Sequence, residues 1–258
     1  MLGFSLGLNG SRKIGGFLPE TVALFAKATA EGFDLPSAGC KAAINADIVE
    51  RKAAGIWTNV DRLFYHANDS GSINFGRINA QDPSRDLATI HGGITNANKE
   101  GIKGNGTDGY FDTQFAPSSD TSKYVIADAH ALIYIYSSNG GRFLGGSIGS
   151  LLFAASNGTA QRLNGGNLSS AVNFGTVGTV GMSRVDGTDI DIMIAGTLST
   201  QVNSATNLPS GDITVLKQGS SYSPSGISIT QIGQGLTTTQ MAAVNTINAA
   251  YMVKMAAL

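Results

Sequence analysis

Charge is scarce in this chain. Only 14 % of its 258 residues are Asp, Glu, Lys or Arg, against about a quarter in ordinary soluble domains. The net charge is −1, so no whole-chain field draws the protein to nucleic acid or to an anionic membrane. A single cysteine, Cys40, excludes an intramolecular disulfide and any multi-cysteine metal site. The three histidines, His66, His91 and His130, lack the spacing of transition-metal ligands. Glutamate is confined to Glu20, Glu31, Glu50 and Glu100. No apolar run approaches the length needed to span a bilayer. The segment Met1 to Leu8 is apolar but lacks the basic start and cleavage site of a signal peptide.

Glycine is abundant instead, at 34 residues, and 42 % of the chain is hydrophobic. That composition is too apolar for disorder and fits many short strands joined by tight turns. The first third reads as helical. After an apolar, Gly-rich arm (residues 1–18), Pro19 suits a first helical turn, with Val22, Phe25 and Thr29 on one side and Gly32 as the stop. Ser37 is placed to cap a second helix with the stripe Cys40, Ile44 and Ile48, which Gly55 ends. Ile56, Trp57, Val60, Leu63 and Phe64 predict a third short amphipathic helix, with Trp57 as a core anchor.

From Ser70 onward the hydrophobic period shortens to two. Ser72 to Ile78 reads as a strand, and Asp82-Pro83 as a turn. Tyr124 to Tyr136 reads as the longest strand, with Tyr124, Ile126, Asp128, His130, Leu132, Tyr134 and Tyr136 on one face. Val125, Ala127, Ala129, Ala131, Ile133 and Ile135 make the apolar face. Asn105-Gly106, Asn139-Gly140, Asn157-Gly158, Asn164-Gly165 and Asp186-Gly187 are hairpin signals. Ile227 to Ile232 forms the last strand. Thr237 and Gln240 then make a capping box before the helical stripe Met241, Val244, Ile247, Tyr251 and Met255.

The stretch Lys103 to Pro117 organises the β region. Its glycines, Gly104-x-Gly106-x-x-Gly109, have the spacing of a dinucleotide fingerprint. Such a fingerprint must open a helix whose N-terminus holds the pyrophosphate. Here the glycines open a strand, in which Tyr110, Asp112 and Gln114 alternate with Phe111, Thr113 and Phe115. The words Gly-Asn-Gly-Thr-Asp-Gly-Tyr-Phe-Asp-Thr-Gln-Phe-Ala-Pro resemble a motif, GNGSxxYxDTxFxP, of a family of bacteriophage structural proteins. The Gly55-Ile-Trp-Thr58 run, the Asn79-Ala-Gln-Asp-Pro-Ser-Arg-Asp86 segment, the Met182 to Leu198 hairpin, Gly211 to Lys217 and the closing helix are similar to parts of the same family. The resemblance covers roughly residues 50–258.

That resemblance implies a mainly β, antiparallel concanavalin A-like (laminin-G-like) jelly-roll sandwich with a small helical N-terminal region and a C-terminal helix. Residues 1–66 would be an arm and short helices for attachment, and residues 67–258 the sandwich with its helix. It implies a virion structural protein, a head decoration, head fibre or tail protein, acting in assembly and surface presentation beside other virion proteins. A homo-oligomer is expected from the low charge and the apolar arm, and a trimer from the resemblance to viral fibres. The alternative is a carbohydrate-binding adhesin module for host-surface glycans, for which Tyr124, Tyr134 and Tyr136 are the candidate contacts.

No enzyme is expected. Retaining glycosidases on this fold need two carboxylates about 5 Å apart, and the sandwich beyond Glu100 has no glutamate. Asp189 and Asp191 share a strand face that reads as solvated. Asp128 could orient His130, but no nucleophile elbow accompanies them, Gly145-Gly-Ser-Ile-Gly149 having only an approximate form and no following helix. No cofactor is expected. Calcium stays open because laminin-G-like domains can hold it, with Asp108, Asp112 and Asp120 as the nearest acidic cluster.

Overall fold

The computed structural model describes residues 16–146, 150–155, 161–168 and 172–258. Helix α1 (Pro19–Ala30) begins at its proline and is followed by Gly32 at φ 70°. Its buried side is Thr21, Leu24 and Ala28, one position round from the expected stripe, and Val22 points outward. The cause is Asn45 of the next helix. Its side-chain oxygen accepts from the Leu18 amide (2.8 Å) and the Thr21 hydroxyl (2.9 Å), which turns that side inward. Helix α2 (Ala38–Ala53) is capped by Ser37, whose hydroxyl accepts from the Cys40 amide, and Gly55 follows it at φ 67°. Cys40, Ile44 and Ile48 face inward as expected, with Asp47 and Arg51 on the same stripe.

The third expected helix is a strand. Trp57–Asn59 make one 3-10 turn, and β1 (Val60–Tyr65) follows. All six of its residues are buried, with Leu63 turned to the helices and Phe64 to the second sheet. A segment buried on both sides has no period by which to tell strand from helix. Likewise Ser72–Ile78 holds a 3-10 turn at Phe75–Arg77 and no strand. The order continues β2 (Thr89–His91), β3 (Thr95–Ala97), β4 (Gly101–Lys103), β5 (Tyr110–Asp112), β6 (Ala129–Ser137), β7 (Arg142–Gly145), β8 (Leu151–Ala154) and β9 (Arg162–Leu163). Then come β10 (Gly178–Arg184), β11 (Asp189–Ile194), β12 (Thr197–Val202), β13 (Thr214–Val215), β14 (Lys217–Gln218), β15 (Ser221–Tyr222), β16 (Gly226–Gly233) and α3 (Thr238–Ala256).

One sheet has the order β12-β11-β10-β6-β16-β4-β3. β4 pairs with the start of β16 and β1 with the rest of it. The second sheet runs β2-β5-β13-β7-β8-β9. Every strand pairing among the described residues is antiparallel. The fold is therefore a mainly β, antiparallel, jelly-roll-like sandwich, with two helices before it and one after. Asn105-Gly106 and Asn139-Gly140 carry the chain from one sheet to the other (β4 to β5, β6 to β7), so they are corners and not hairpins. Asp186-Gly187 does join paired strands, β10 and β11. Asn157-Gly158, the arm up to residue 15 and positions 147–149 of the Gly145–Gly149 run lie outside the described residues.

Two cores result. Between the sheets, Ala129, Ala131, Ile133 and Ile135 of β6 meet Phe111, Phe143, Phe153 and Val215. On the outer side of the larger sheet, Leu132, Met193 and Ile229 meet Leu24, Ile44, Ile48, Trp57 and the α3 stripe of Met241, Val244, Ile247, Tyr251 and Met255. Each such side chain contributes about 1.5–3 kcal/mol relative to exposure. α3 begins with the expected capping box, in which Gln240 N–H donates to the Thr237 hydroxyl (3.3 Å) and Thr237 N–H to Gln240 Oε1 (3.0 Å). The boundary expected at 66/67 does not coincide with a break in packing. β1 lies just before it yet pairs along β16, and α2 packs on α3. No described helix is long and apolar enough to cross a membrane.

Candidate functional site

The alternation along β6 decides which side chains leave the sandwich core. Ala129, Ala131, Ile133 and Ile135 turn in, so Leu132, Tyr134 and Tyr136 turn toward the helical side. Tyr134 and Tyr136 are half-buried and line a cleft of about 350 Å³ with Asn98, Lys99, Glu100, Val177, Met252 and Ala256. That volume is near the lower end for small-molecule sites. Lys99 is held at φ 65°, its amide donating to Asn68 O (2.9 Å), which sets the polar rim beside the tyrosines. The Tyr136 ring lies against Gly226, where a β-carbon would overlap it.

The Tyr136 hydroxyl oxygen is shielded and has no hydrogen-bond partner among the described residues. Burial, with the Glu100 carboxylate adding to it, pushes that phenol up to about 12. Burial also raises Tyr134. Both are neutral phenols at physiological pH, able to donate and accept. The arrangement suits holding a polar ligand with an apolar face: two rings, Met252 and Val177 on one side, and Asn98, Lys99, Glu100 and a phenol on the other. Among the described residues Glu100 is the one carboxylate lining it.

Tyr124 does not join this cleft. The segment before Ala129 is not a strand; Val125 and Asp128 close a tight turn. The Asp61 carboxylate accepts from the amides of Lys123 (3.0 Å) and Tyr124 (2.9 Å) and so draws the chain toward β1. Tyr124 is then buried between the sheets, edge-on to Phe115, with its hydroxyl donating to Asn164 Oδ1 (2.8 Å). Burial raises its pKa. A side chain in that position cannot touch a surface glycan.

Most of the other residues singled out in the sequence have structural partners. Asp128 accepts from Gly235 N–H (2.9 Å) and Gln234 Nε2 (2.8 Å), and so holds the turn before α3. It does not orient His130, whose Nδ1 meets Gln234 O and whose Nε2 meets Gln231 Nε2 (2.9 Å). Asp191 accepts from the Thr200 hydroxyl (2.5 Å), and Asp189 is exposed. Asp108 accepts from the Gly93 amide (3.0 Å), Asp112 from the Gln114 amide (3.0 Å), and Asp120 from the Ala116 amide (3.1 Å) while facing Arg62 at 3.6 Å. Among the described residues no three His, Cys, Asp or Glu side chains are placed to hold a metal ion.

Two groupings lie outside the expectations drawn from the sequence. On the outer face of the smaller sheet, His91 stacks on Tyr110 (4.3 Å, 7°) and Lys217 Nζ lies 3.7 Å from the same ring centre. Two such neighbours cannot share one side, so both faces of Tyr110 are covered and none is left for a sugar. Beneath α2 and α3 lies a buried polar network. Arg51 Nε donates to Asp47 Oδ2 (2.5 Å), and its other nitrogens to Gln231 Oε1 and Asn248 Oδ1 (2.5 Å). Tyr65 donates to Asp47 (2.5 Å). The Asp47 charge holds the Arg51 guanidinium above its ordinary value despite burial. The signal was present, since Asp47 and Arg51 fall at helical spacing within the stripe of Cys40, Ile44 and Ile48.

No family profile and no curated protein matches the chain. Solved structures with a related chain course include domain 4 of AbnA, a GH43 extracellular arabinanase from Geobacillus stearothermophilus, in complex with arabinotriose. There the identity is 10 %, the match covers 72 % of this chain and 98 % of that one, and the TM-score is 0.42. The botulinum neurotoxin serotype D binding domain matches at 8 % identity over 74 % of this chain and 52 % of that one, with TM-score 0.41. Trypanosoma rangeli sialidase in complex with sialic acid matches at 10 % identity over 80 % of this chain and 39 % of that one, with TM-score 0.49. The chain thus spans about half of the toxin domain and two fifths of the sialidase. At these scores none of the three assigns a ligand or an activity to this chain.

Proposed function

We propose that this chain is a non-catalytic structural protein of a bacteriophage particle that displays its sandwich on the virion. The observation that carries this reading is the form taken by the stretch with the phage-type motif. Asn105 Oδ1 accepts from the amides of Thr107, Asp108 and Gly109 (2.9, 3.1 and 3.0 Å) to build the corner between the sheets. Phe111 and Phe115 then enter the sandwich core. The motif is thus a folding element of the jelly roll and holds no reacting group, which supports assembly and display over turnover. Mass spectrometry of gradient-purified particles is the test. The chain is recovered at a fixed ratio to the major capsid protein; loss of the chain on repeated banding sinks the reading.

A second reading, glycan recognition on the host surface, is favoured by the cleft at Tyr134 and Tyr136. It is compatible with the first. A glycan array probed with the whole protein tests it, with Tyr136→Phe as the variant that removes only the unpartnered hydroxyl. Retention of a sugar that weakens several-fold in Tyr136→Phe supports the cleft; binding unchanged by Tyr136→Phe and by Met252→Ala places the sugar elsewhere.

A further inference from the structure

Besides β1, whose one strand partner among the described residues is β16 and which is buried throughout, four strands end the two sheets. β2, β3 and β9 are three residues long or fewer. β12 is six residues long, Thr-Leu-Ser-Thr-Gln-Val, and no residue from Ala195 to Ser210 is charged. Edge strands are ordinarily blunted by shortness, charge, proline or a bulge, and β12 has none of these, its register with β11 being unbroken.

The direction of its free hydrogen-bonding groups follows from the turn. β11 and β12 are joined by Ala195-Gly196, both at positive φ (48° and 92°), the pattern of a two-residue type I′ hairpin. Ile194 and Thr197 therefore exchange hydrogen bonds, and Asn203 N–H, six residues on, donates to Thr188 O (2.7 Å) in the same phase. Leu198, Thr200 and Val202 then point their backbone N–H and C=O groups away from β11. Among the described residues nothing meets these groups.

We infer that β12 pairs with β12 of a second copy, antiparallel about a two-fold axis at Thr200, making one sheet continuous across two molecules. That register sets Thr200 against Thr200 and Leu198 against Val202 of the other copy. Threonine pairs and aliphatic pairs are favourable cross-strand neighbours. Val202 is 79 % exposed in the single chain and gains a partner. Leu198 already rests on the helical core. The nearest charges, Asp191 of each copy, stand three strand spacings apart, about 14 Å, beyond the screening length of about 8 Å. The seam closes with two copies, in contrast to the trimer that resemblance to viral fibres suggests.

Analytical ultracentrifugation of the full chain across about 0.1–50 µM, a range that brackets a micromolar constant, tests the seam. Wild type sediments as a dimer at the upper end. Thr200→Lys sets two ammonium groups opposite one another and weakens the dimer tenfold or more, like charges facing across an interface being strongly disfavoured. The change is on an exposed residue beside Asp191 and leaves the circular dichroism of the chain intact. Thr200→Ser keeps the dimer. As an independent reading, Thr200→Cys, oxidised, gives a covalent dimer, whereas Thr58→Cys on the other side of the molecule does not. A monomeric wild type, or a dimer indifferent to Thr200→Lys with no cross-link at residue 200, overturns the proposal.

Discussion

The Tyr136 ring lies against Gly226 across the β6–β16 pair, in space that any β-carbon at residue 226 would occupy. The glycine thereby sets how deep the phenol sits. Gly226→Ala is expected to push Tyr136 outward and to destabilise the protein by about 1–3 kcal/mol, the usual cost of overpacking a filled site. Urea unfolding gives the stability. If the variant keeps both the midpoint and the tyrosine's fluorescence environment, the contact is not as tight as described.

The buried Asp47–Arg51 pair predicts an asymmetry. Arg51→Ala strands a carboxylate under two helices and is expected to cost about 3–5 kcal/mol. Replacing both together, Asp47→Leu with Arg51→Met, recovers much of that loss, because no unpaired charge remains. Equal losses in the single and double variants would show that packing, and not the stranded charge, sets the cost.

Acid stability follows from His66 and His130. Burial holds them down at about 3 and about 4, below the ordinary value of 6.5, so both are neutral in the folded state at pH 7. The unfolded chain takes up their protons first. Their contribution is therefore fully present above about pH 6.5 and is lost as pH falls toward 4, at up to about 1.4 kcal/mol per pH unit for each histidine. Thermal melts from pH 7 to pH 4.5 are expected to fall steadily, and less steeply in His66→Phe. A flat profile over that range would contradict the burial of these rings.

Much of this was legible in the chain. The Ser37 cap, the Thr237–Gln240 box and the α3 stripe each depend on neighbours three or four residues away, and local pattern is enough for them. The inner face of β6 was equally plain from Ala129 onward. β1 escaped notice because a strand buried on both sides shows no period. Tyr124 was misplaced because its position depends on Asp61, and the two come together only through the tertiary fold. The same holds for the cleft: Asn98 and Met252 meet beside Tyr134 by way of sheet order, which alternation does not encode. Asn105-Gly106 and Asn139-Gly140 do mark changes of chain direction, but whether a turn makes a hairpin or a corner is settled by the strands on either side.

Density for an intact particle, at a resolution that traces side chains, tests the central claim most directly. The account predicts a sandwich on the particle exterior with the β6–β16 sheet backed by three helices, recognisable by Trp57 beneath the helices and by Phe111 and Phe115 in the core between the sheets. Particles whose exterior density is fully explained by other chains, with this protein found only in the soluble fraction of infected cells, would contradict it.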